Sequence, residues 1–207
     1  MATAGVKRPR LIGPASSGIL MTPRDFDRAE FVEGWRYELI NEVLIVTSTP
    51  LSIQRDPNDK LGHLLRTYQD THPQGTALDA TLPEHLVSTR SNRRRADRVI
   101  WTGLGRLPRR KDVPSIIAEF VSAGRRNWLR DLEAKRDEYL ALGVKEYWVF
   151  NRFEHTLTVF SLRGEKLRKR VFRANQHYTS ELLPGFDLPL ARLCKLADRW
   201  PSEDPQE

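Results

Sequence analysis

The strongest constraint on the fold is the order of three consecutive segments. The run SIIAEFVS (115–122) is almost wholly apolar and short, which reads as a strand buried on both faces. The next segment, NWLRDLEAKRDEYLALG (127–143), places Trp128, Leu132, Lys135, Tyr139 and Leu142 at helical spacing on one face, with Gly143 as its stop. EYWVF (146–150) then returns as a second apolar strand. A strand, helix, strand sequence of this kind predicts an α/β architecture in which a central mixed β-sheet is flanked by α-helices.

The flanking sequence fits this plan. Thr22-Pro23 has the form of a helix N-cap and first helical residue, opening a short helix through Phe31 that ends at Gly34. YELINEVLIVTS (37–48) reads as a strand or tight hairpin around Asn41-Glu42, with Glu38 at its entrance. Leu61, Leu64, Leu65 and Tyr68 mark an amphipathic helix starting at Pro57. TALDATLPEHLV (76–87) and ADRVIWTGL (96–104) read as two strands joined by a basic loop, SNRRR. TLTVFSL and KRVFRANQHYTS suggest a closing hairpin, followed by a loop and a short helix. Residues 1–20 and the acidic 199–207 read as disordered ends around one domain, 21–198.

Composition narrows the function classes. The 207 residues hold one cysteine, Cys194, which excludes an internal disulfide framework and a cysteine-based zinc cluster. That usage fits a reducing compartment, and no apolar run approaches the roughly 20 residues of a membrane span or the form of a signal peptide. The expected location is cytoplasmic. The net charge of +7 is concentrated: between Arg90 and Arg130 lie 12 Lys or Arg against Asp97, Asp112 and Glu119, while the rest of the chain sums to −2. A local excess of this kind points to a polyanion as partner, with phosphates the natural choice. Solvated strand ends and loops are the plainer explanation of the same cluster.

Two charges break the apolar pattern in complementary ways. Glu119 stands inside the buried strand, and Lys135 stands in the apolar stripe of the helix that follows. An unpaired buried ion is expensive, and a helix packed back on the sheet can bring Lys135 toward Glu119. The plainer readings are a structural ion pair or a lysine that snorkels its amine to solvent. Asp97 opens the apolar strand RVIW directly before the strand of Glu119, so neighbouring strands would bring both carboxylates to one end of the sheet. Two carboxylates and one main-chain carbonyl suffice for Mg²⁺, which keeps waters and takes phosphate oxygens as its remaining ligands.

The series Tyr37-Glu38-Leu39-Ile40, Ala96-Asp97, Glu119-Phe120-Val121-Ser122, Lys135 with Tyr139, and Gly143-Val144-Lys145-Glu146-Tyr147-Trp148 resembles the Uma-two family of putative restriction endonucleases. That family was long catalogued as a domain of unknown function and belongs to the PD-(D/E)XK nuclease superfamily. The resemblance covers roughly residues 21–190 and implies a restriction-endonuclease-like core. By the same resemblance the chain would be a Mg²⁺-dependent endonuclease hydrolysing DNA phosphodiester bonds, with Mn²⁺ as a substitute, leaving 5′-phosphate and 3′-hydroxyl ends. Asp97, Glu119 and the Phe120 carbonyl would hold the metal. Lys135 would orient the attacking water or steady the phosphorane, and Glu38 would act as outer ligand or water-positioning base. The superfamily's lysine normally lies two residues after the second acid, where this chain has Val121, and Lys135 stands as its replacement on the helix. Further departures are Ala96 where a proline is common, Asn41-Glu42 for an Asp-Gly turn, and Asn58 for a histidine.

Arg93, Arg94, Arg95, Arg125 and Arg126 are the expected nucleic-acid contacts. An inactive nuclease-derived module that binds nucleic acid through the same basic zone is the alternative, and an ordinary buried Glu119–Lys135 pair in a structural protein is a third. Domains of this size often cut both strands as homodimers, though no interface is legible here. Other constellations carry less. His63, His72, His85, His155 and His177 have no metal-ligand spacing, no phosphate-binding glycine loop is present, and Cys194 reads as a small buried hydrophobe. Trp101, Trp128, Tyr147 and Trp148 read as core.

Overall fold

A computed structural model describes residues 11–121 and 128–200 of the chain. Residues 1–10, 122–127 and 201–207 lie outside the described residues, and with them Arg125 and Arg126. In chain order the elements are β1 (Leu11–Ile12), α1 (Pro23–Phe26), β2 (Glu30–Phe31), β3 (Trp35–Ile40), β4 (Val43–Ser48), α2 (Ser52–Thr71), β5 (Leu78–Ser88), β6 (Arg93–Thr102), β7 (Ile116–Phe120), α3 (Trp128–Leu142), β8 (Glu146–Asn151), β9 (Thr156–Arg163), β10 (Lys166–Arg173), β11 (His177–Thr179), β12 (Asp187–Pro189) and α4 (Leu190–Asp198). They divide into two compact units, one running to Thr49 and including Leu86–Arg95, the other made of Pro50–His85 and the chain from Ala96 onward.

The larger unit is built on the predicted strand, helix, strand core. β7 and β8 pair in parallel, from Ile116 opposite Glu146 to Phe120 opposite Phe150, as a crossover through α3 requires. β6 lies antiparallel on the other side of β7, and β9 and β10 extend the sheet antiparallel beyond β8. The sheet is therefore mixed. Side-chain alternation sorts its two faces. Ala118 and Phe120 of β7, Trp148 and Phe150 of β8, and Leu157 and Val159 of β9 form a core with Leu61, Leu65 and Tyr68 of α2 and Leu190 and Leu193 of α4. The opposite face carries Glu119 and Tyr147, and α3 lies over it, with Tyr139 edge-on to Tyr147 at 5.5 Å. Gly143 ends α3 at φ 104°, a conformation that side chains with a Cβ rarely adopt.

α2 begins at Ser52, earlier than the proline rule suggested, and Pro57 sits inside it. Gln54 accounts for the early start: its side-chain oxygen accepts from the Leu51 N–H at 3.2 Å, half of a capping box. Pro57 forfeits one helical hydrogen bond but is buried with Ile53 in the interior.

The smaller unit has its own core of Ile12, Phe26, Tyr37, Leu39 and Leu44. β3 and β4 form the expected hairpin, turning through Asn41 and Glu42 at φ 50° and 63°, both in the left-handed region that a tight hairpin turn demands. Thr22 caps α1 as predicted, accepting from the Asp25 N–H at 3.2 Å. The helix stops at Phe26, and Glu30–Phe31 is strand, not helix. Residues 11–20 correct the expectation of a disordered lead-in. Leu11–Ile12 pairs in parallel with Glu30–Phe31, Ile12 is buried, and Leu20 bridges Val43. The apolar residues that order this segment are too few and too irregularly spaced for a periodicity to reveal them.

Candidate active site

The two anomalous charges meet. Lys135 Nζ lies 3.2 Å from both Glu119 Oε1 and Oε2, and the side chains are 8% and 6% exposed. Tyr139, one turn further along α3, donates its hydroxyl to Glu119 Oε1 at 3.4 Å. The strand places Glu119 on the α3 face because its neighbours Ala118 and Phe120 occupy the other. The helix places Lys135 and Tyr139 above it because residues four apart share a face.

Asp97 comes to the same face by register. Arg98, Val99 and Ile100 lie opposite Ala118, Ile117 and Ile116, so one further step sets Asp97 opposite Glu119, and directly opposed residues of an antiparallel pair point to the same side. Asp97 is buried, and its Oδ2 accepts the Phe120 backbone N–H at 2.7 Å. A carboxylate thus takes the place of a strand partner at the end of β7. The Phe120 carbonyl faces Gln54 Nε2 at 3.4 Å, a long contact. Asp97, Glu119 and the Phe120 carbonyl would supply only oxygen donors, the hard kind that suits Mg²⁺ or Mn²⁺. Among the described residues no three His, Cys, Asp or Glu side chains cluster as a metal site, so the main-chain oxygen would be a necessary member of that set.

A buried polar lattice behind Asp97 escaped the sequence reading. Asn58 Nδ2 donates to the Asp97 carbonyl at 2.8 Å, while its Oδ1 accepts from Arg98 Nε at 2.7 Å and its carbonyl from an Arg98 terminal nitrogen at 2.9 Å. Thr81 Oγ1 takes another Arg98 nitrogen at 3.2 Å. Burial pushes the Arg98 guanidinium down to about 10, against the pull of Asp59 and with the repulsion of Arg66. Gly62 makes the room: a Cβ there would lie 2.6 Å from the guanidinium. The available signals were Asn58 and Gly62 in a helix otherwise rich in leucine and charge, and Arg98 in an apolar strand.

Glu38 belongs to the smaller unit. It is buried in β3, and its Oε1 accepts the Arg95 backbone N–H at 2.8 Å, which ties it to the chain two residues before Asp97.

The basic zone is less exposed than its sequence suggests. Arg93–Arg95 are strand residues, and the turn before them is closed within Thr89–Asn92 by Thr89 N–H to the Asn92 carbonyl at 3.0 Å. Arg93 and Arg94 are buried at 8% and 2% exposure, not displayed on a loop. The Arg93 fork grips both oxygens of Asp27 at 2.7 Å, an interaction that raises its pKa. Arg106 likewise pairs with Asp112 at 2.6 Å. The local charge excess therefore overstates the free positive surface: the acids that neutralise it come from distant parts of the chain or from across a turn. Arg109, Arg110 and Lys111 remain exposed. The buried aromatics Trp101, Tyr147 and Trp148 are core, as read. Burial raises the Cys194 thiol pKa.

The larger unit thus joins a mixed α/β sheet to a buried acid and a lysine delivered from the following helix. The chain belongs to the Uma2 family, described as putative restriction endonuclease, whose model matches residues 23–191. Among solved structures it is similar to a putative nuclease belonging to DUF820 from Anabaena variabilis ATCC 29413, with a TM-score of 0.70 at 14% identity, covering 86% of this chain and 99% of that one. No curated protein matches. Among the described residues no helix is long and apolar enough to cross a membrane.

Proposed function

We propose that the chain is a Mg²⁺-dependent endonuclease that hydrolyses DNA phosphodiester bonds, with Mn²⁺ able to substitute. The observation that carries this reading is the buried Glu119, which meets the Lys135 ammonium under α3 while the register sets Asp97 opposite it. Asp97, Glu119 and the Phe120 carbonyl would hold the metal, which when bound supplies Lewis-acid stabilisation of the phosphoryl oxygens. The Phe120 N–H fixes one oxygen of Asp97. Lys135, turned from Glu119 toward a phosphate or water, would stabilise charge building on the phosphorane or orient the nucleophile. Tyr139 restrains Glu119 as the lysine moves. Glu38 is assigned a supporting role as an outer ligand or water-positioning base, and two copies acting together would account for cutting both strands.

A second reading, a nuclease-derived module that binds nucleic acid without turnover, has one observation in its favour. The Lys135 amine is equidistant from both Glu119 oxygens, a closed pair that already satisfies the charge. A cleavage assay on plasmid and single-stranded DNA with Mg²⁺, Mn²⁺ and EDTA, run beside Asp97→Ala, decides between them. Metal-dependent cutting by the wild type, absent in EDTA and lost in Asp97→Ala, is expected. DNA binding with no cutting under any metal would leave the binding module.

A further inference from the structure

A second group of exposed cations lies away from the basic zone. On the sheet face that carries the α2 and α4 core, a polar cleft of about 740 Å³ opens between the β9–β10 hairpin, the start of β8 and the segment around Thr179–Gly185. Lys145, Arg163, Arg168 and Arg170 line it, with the hydroxyls of Ser161 and Ser180. Lys145, Arg163 and Arg168 are exposed, and among the described residues their side chains have no hydrogen bond or ion pair. The lining acids are Glu146 and Glu181. Glu146 is largely committed: its Oε2 accepts from Trp148 Nε1 at 2.9 Å, Tyr178 hydroxyl at 2.7 Å and Ser180 hydroxyl at 2.9 Å, and its Oε1 stands 4.0 Å from Arg170.

Charge on an edge strand has a plain use, since it discourages pairing with another chain. That use does not require cations to converge on a concavity or to oppose one another. β10 carries five basic residues and no acid over Lys166–Arg173, and Lys166 lies directly opposite Arg163 in the ladder. Like charges in that position repel, a cost that a bound anion reverses. Glu165, in the turn between the two strands, offsets a single charge.

We infer that this cleft binds a small phosphorylated ligand carrying at least two negative charges, held chiefly by Arg163 and Arg168 with Lys145 at the rim. The volume suits a ligand of small-molecule size, and arginine forks are matched to phosphate oxygens. The cleft is separate from the acidic pair. Glu146 and Glu119 project from opposite faces of the sheet, and the β7–β8 register sets them three residues apart along the strands, about 10 Å. A ligand here would not touch the phosphodiester being cut, so the inference stands whether or not the chain is a nuclease.

The test is calorimetric titration of the full chain with inorganic pyrophosphate in EDTA, which keeps metal out of the acidic site. Saturable binding with one pyrophosphate per chain is expected. Arg163→Ala and Arg168→Ala, both surface changes that should leave the circular dichroism unaltered, should each weaken it at least tenfold. Arg109→Ala, an exposed cation away from the cleft, should not change it. A short DNA duplex titrated in parallel should lose no more than twofold in either cleft variant. No binding at millimolar pyrophosphate, or equal binding by wild type and cleft variants, overturns the inference. A tenfold loss of duplex affinity in the cleft variants also overturns it, because the cleft would then be a contact for nucleic-acid backbone.

Discussion

Glu119 and Glu146 stand on neighbouring parallel strands of the same sheet, both at most 7% exposed, and they are satisfied in opposite ways. Glu146 accepts three neutral donors on one oxygen, from Trp148, Tyr178 and Ser180, with Arg170 at a distance. Glu119 is met by a lysine at 3.2 Å on each oxygen and one tyrosine hydroxyl at 3.4 Å. The first arrangement is a set of short hydrogen bonds from packed aromatic and hydroxyl groups, which nothing could replace without unpacking the core. The second includes a long, flexible side chain, which under the proposed mechanism would swing to another anion while a cation takes its place. Burial alone therefore does not distinguish a structural acid from a reactive one. The exchangeability of the partner does.

Substitutions at the two glutamates should separate these roles, and the largest effect belongs to Glu119. Glu119→Gln keeps the shape but removes the ligand charge. Cleavage should fall by more than about a hundredfold, beyond what loss of an outer-shell partner costs, while duplex affinity measured by anisotropy stays within a few-fold. Cleavage by Glu119→Gln at the wild-type rate would erase the contrast between the two acids.

Stability should report the mirror image. Glu146→Leu strands the Trp148 N–H and the Tyr178 and Ser180 hydroxyls in the interior, and a loss of roughly 3–5 kcal/mol is expected from urea unfolding, with cleavage per folded molecule unchanged. Lys135→Met should also destabilise by roughly 3–5 kcal/mol, because it removes the countercharge of a buried carboxylate. Adding Glu119→Gln to Lys135→Met should recover most of that loss. No comparable rescue exists for Glu146.

Asn58→Ala probes how Asp97 is held. Cleavage should drop about tenfold, the lower end of the range for outer-shell partners, and more metal should be needed for half-maximal activity. A structural role alone would lower the melting temperature and leave the metal requirement unmoved.

The smallest effect is electrostatic and lies at the surface. The Arg106 side chain, assisted by the Arg109 N–H, draws the Asp112 pKa from 3.8 to about 2. A depressed carboxylate contributes stability above its ordinary pKa and loses it as pH falls through the folded value. Carboxyl carbon shifts followed by NMR should show Asp112 titrating near pH 2 in the wild type and at a higher pH in Arg106→Ala, still below the ordinary value because the Arg109 N–H remains.

The sequence by itself determined the core architecture. An apolar strand, a helix with one stripe and a second apolar strand have no other economical packing than a parallel pair with a helix across it, so β7, α3 and β8 were legible from composition and period. It also exposed Glu119 and Lys135, because charges in apolar patterns are anomalies that periodicity makes visible. The hairpin at Asn41-Glu42 and the Thr22 cap were legible for the same local reasons. What only the tertiary structure decided is which charges are consumed and which are free. Arg93 finds Asp27, and Arg98 finds Asn58 and Thr81, through contacts far apart in the chain, so a basic stretch that looked like a phosphate surface is partly interior. No local pattern in the chain marks the cations of β9 and β10 as a group, yet strand pairing gathers them around one cleft. Local patterns record where a charge is tolerated. Its partner is set by strand register and helix placement, which no window of sequence contains.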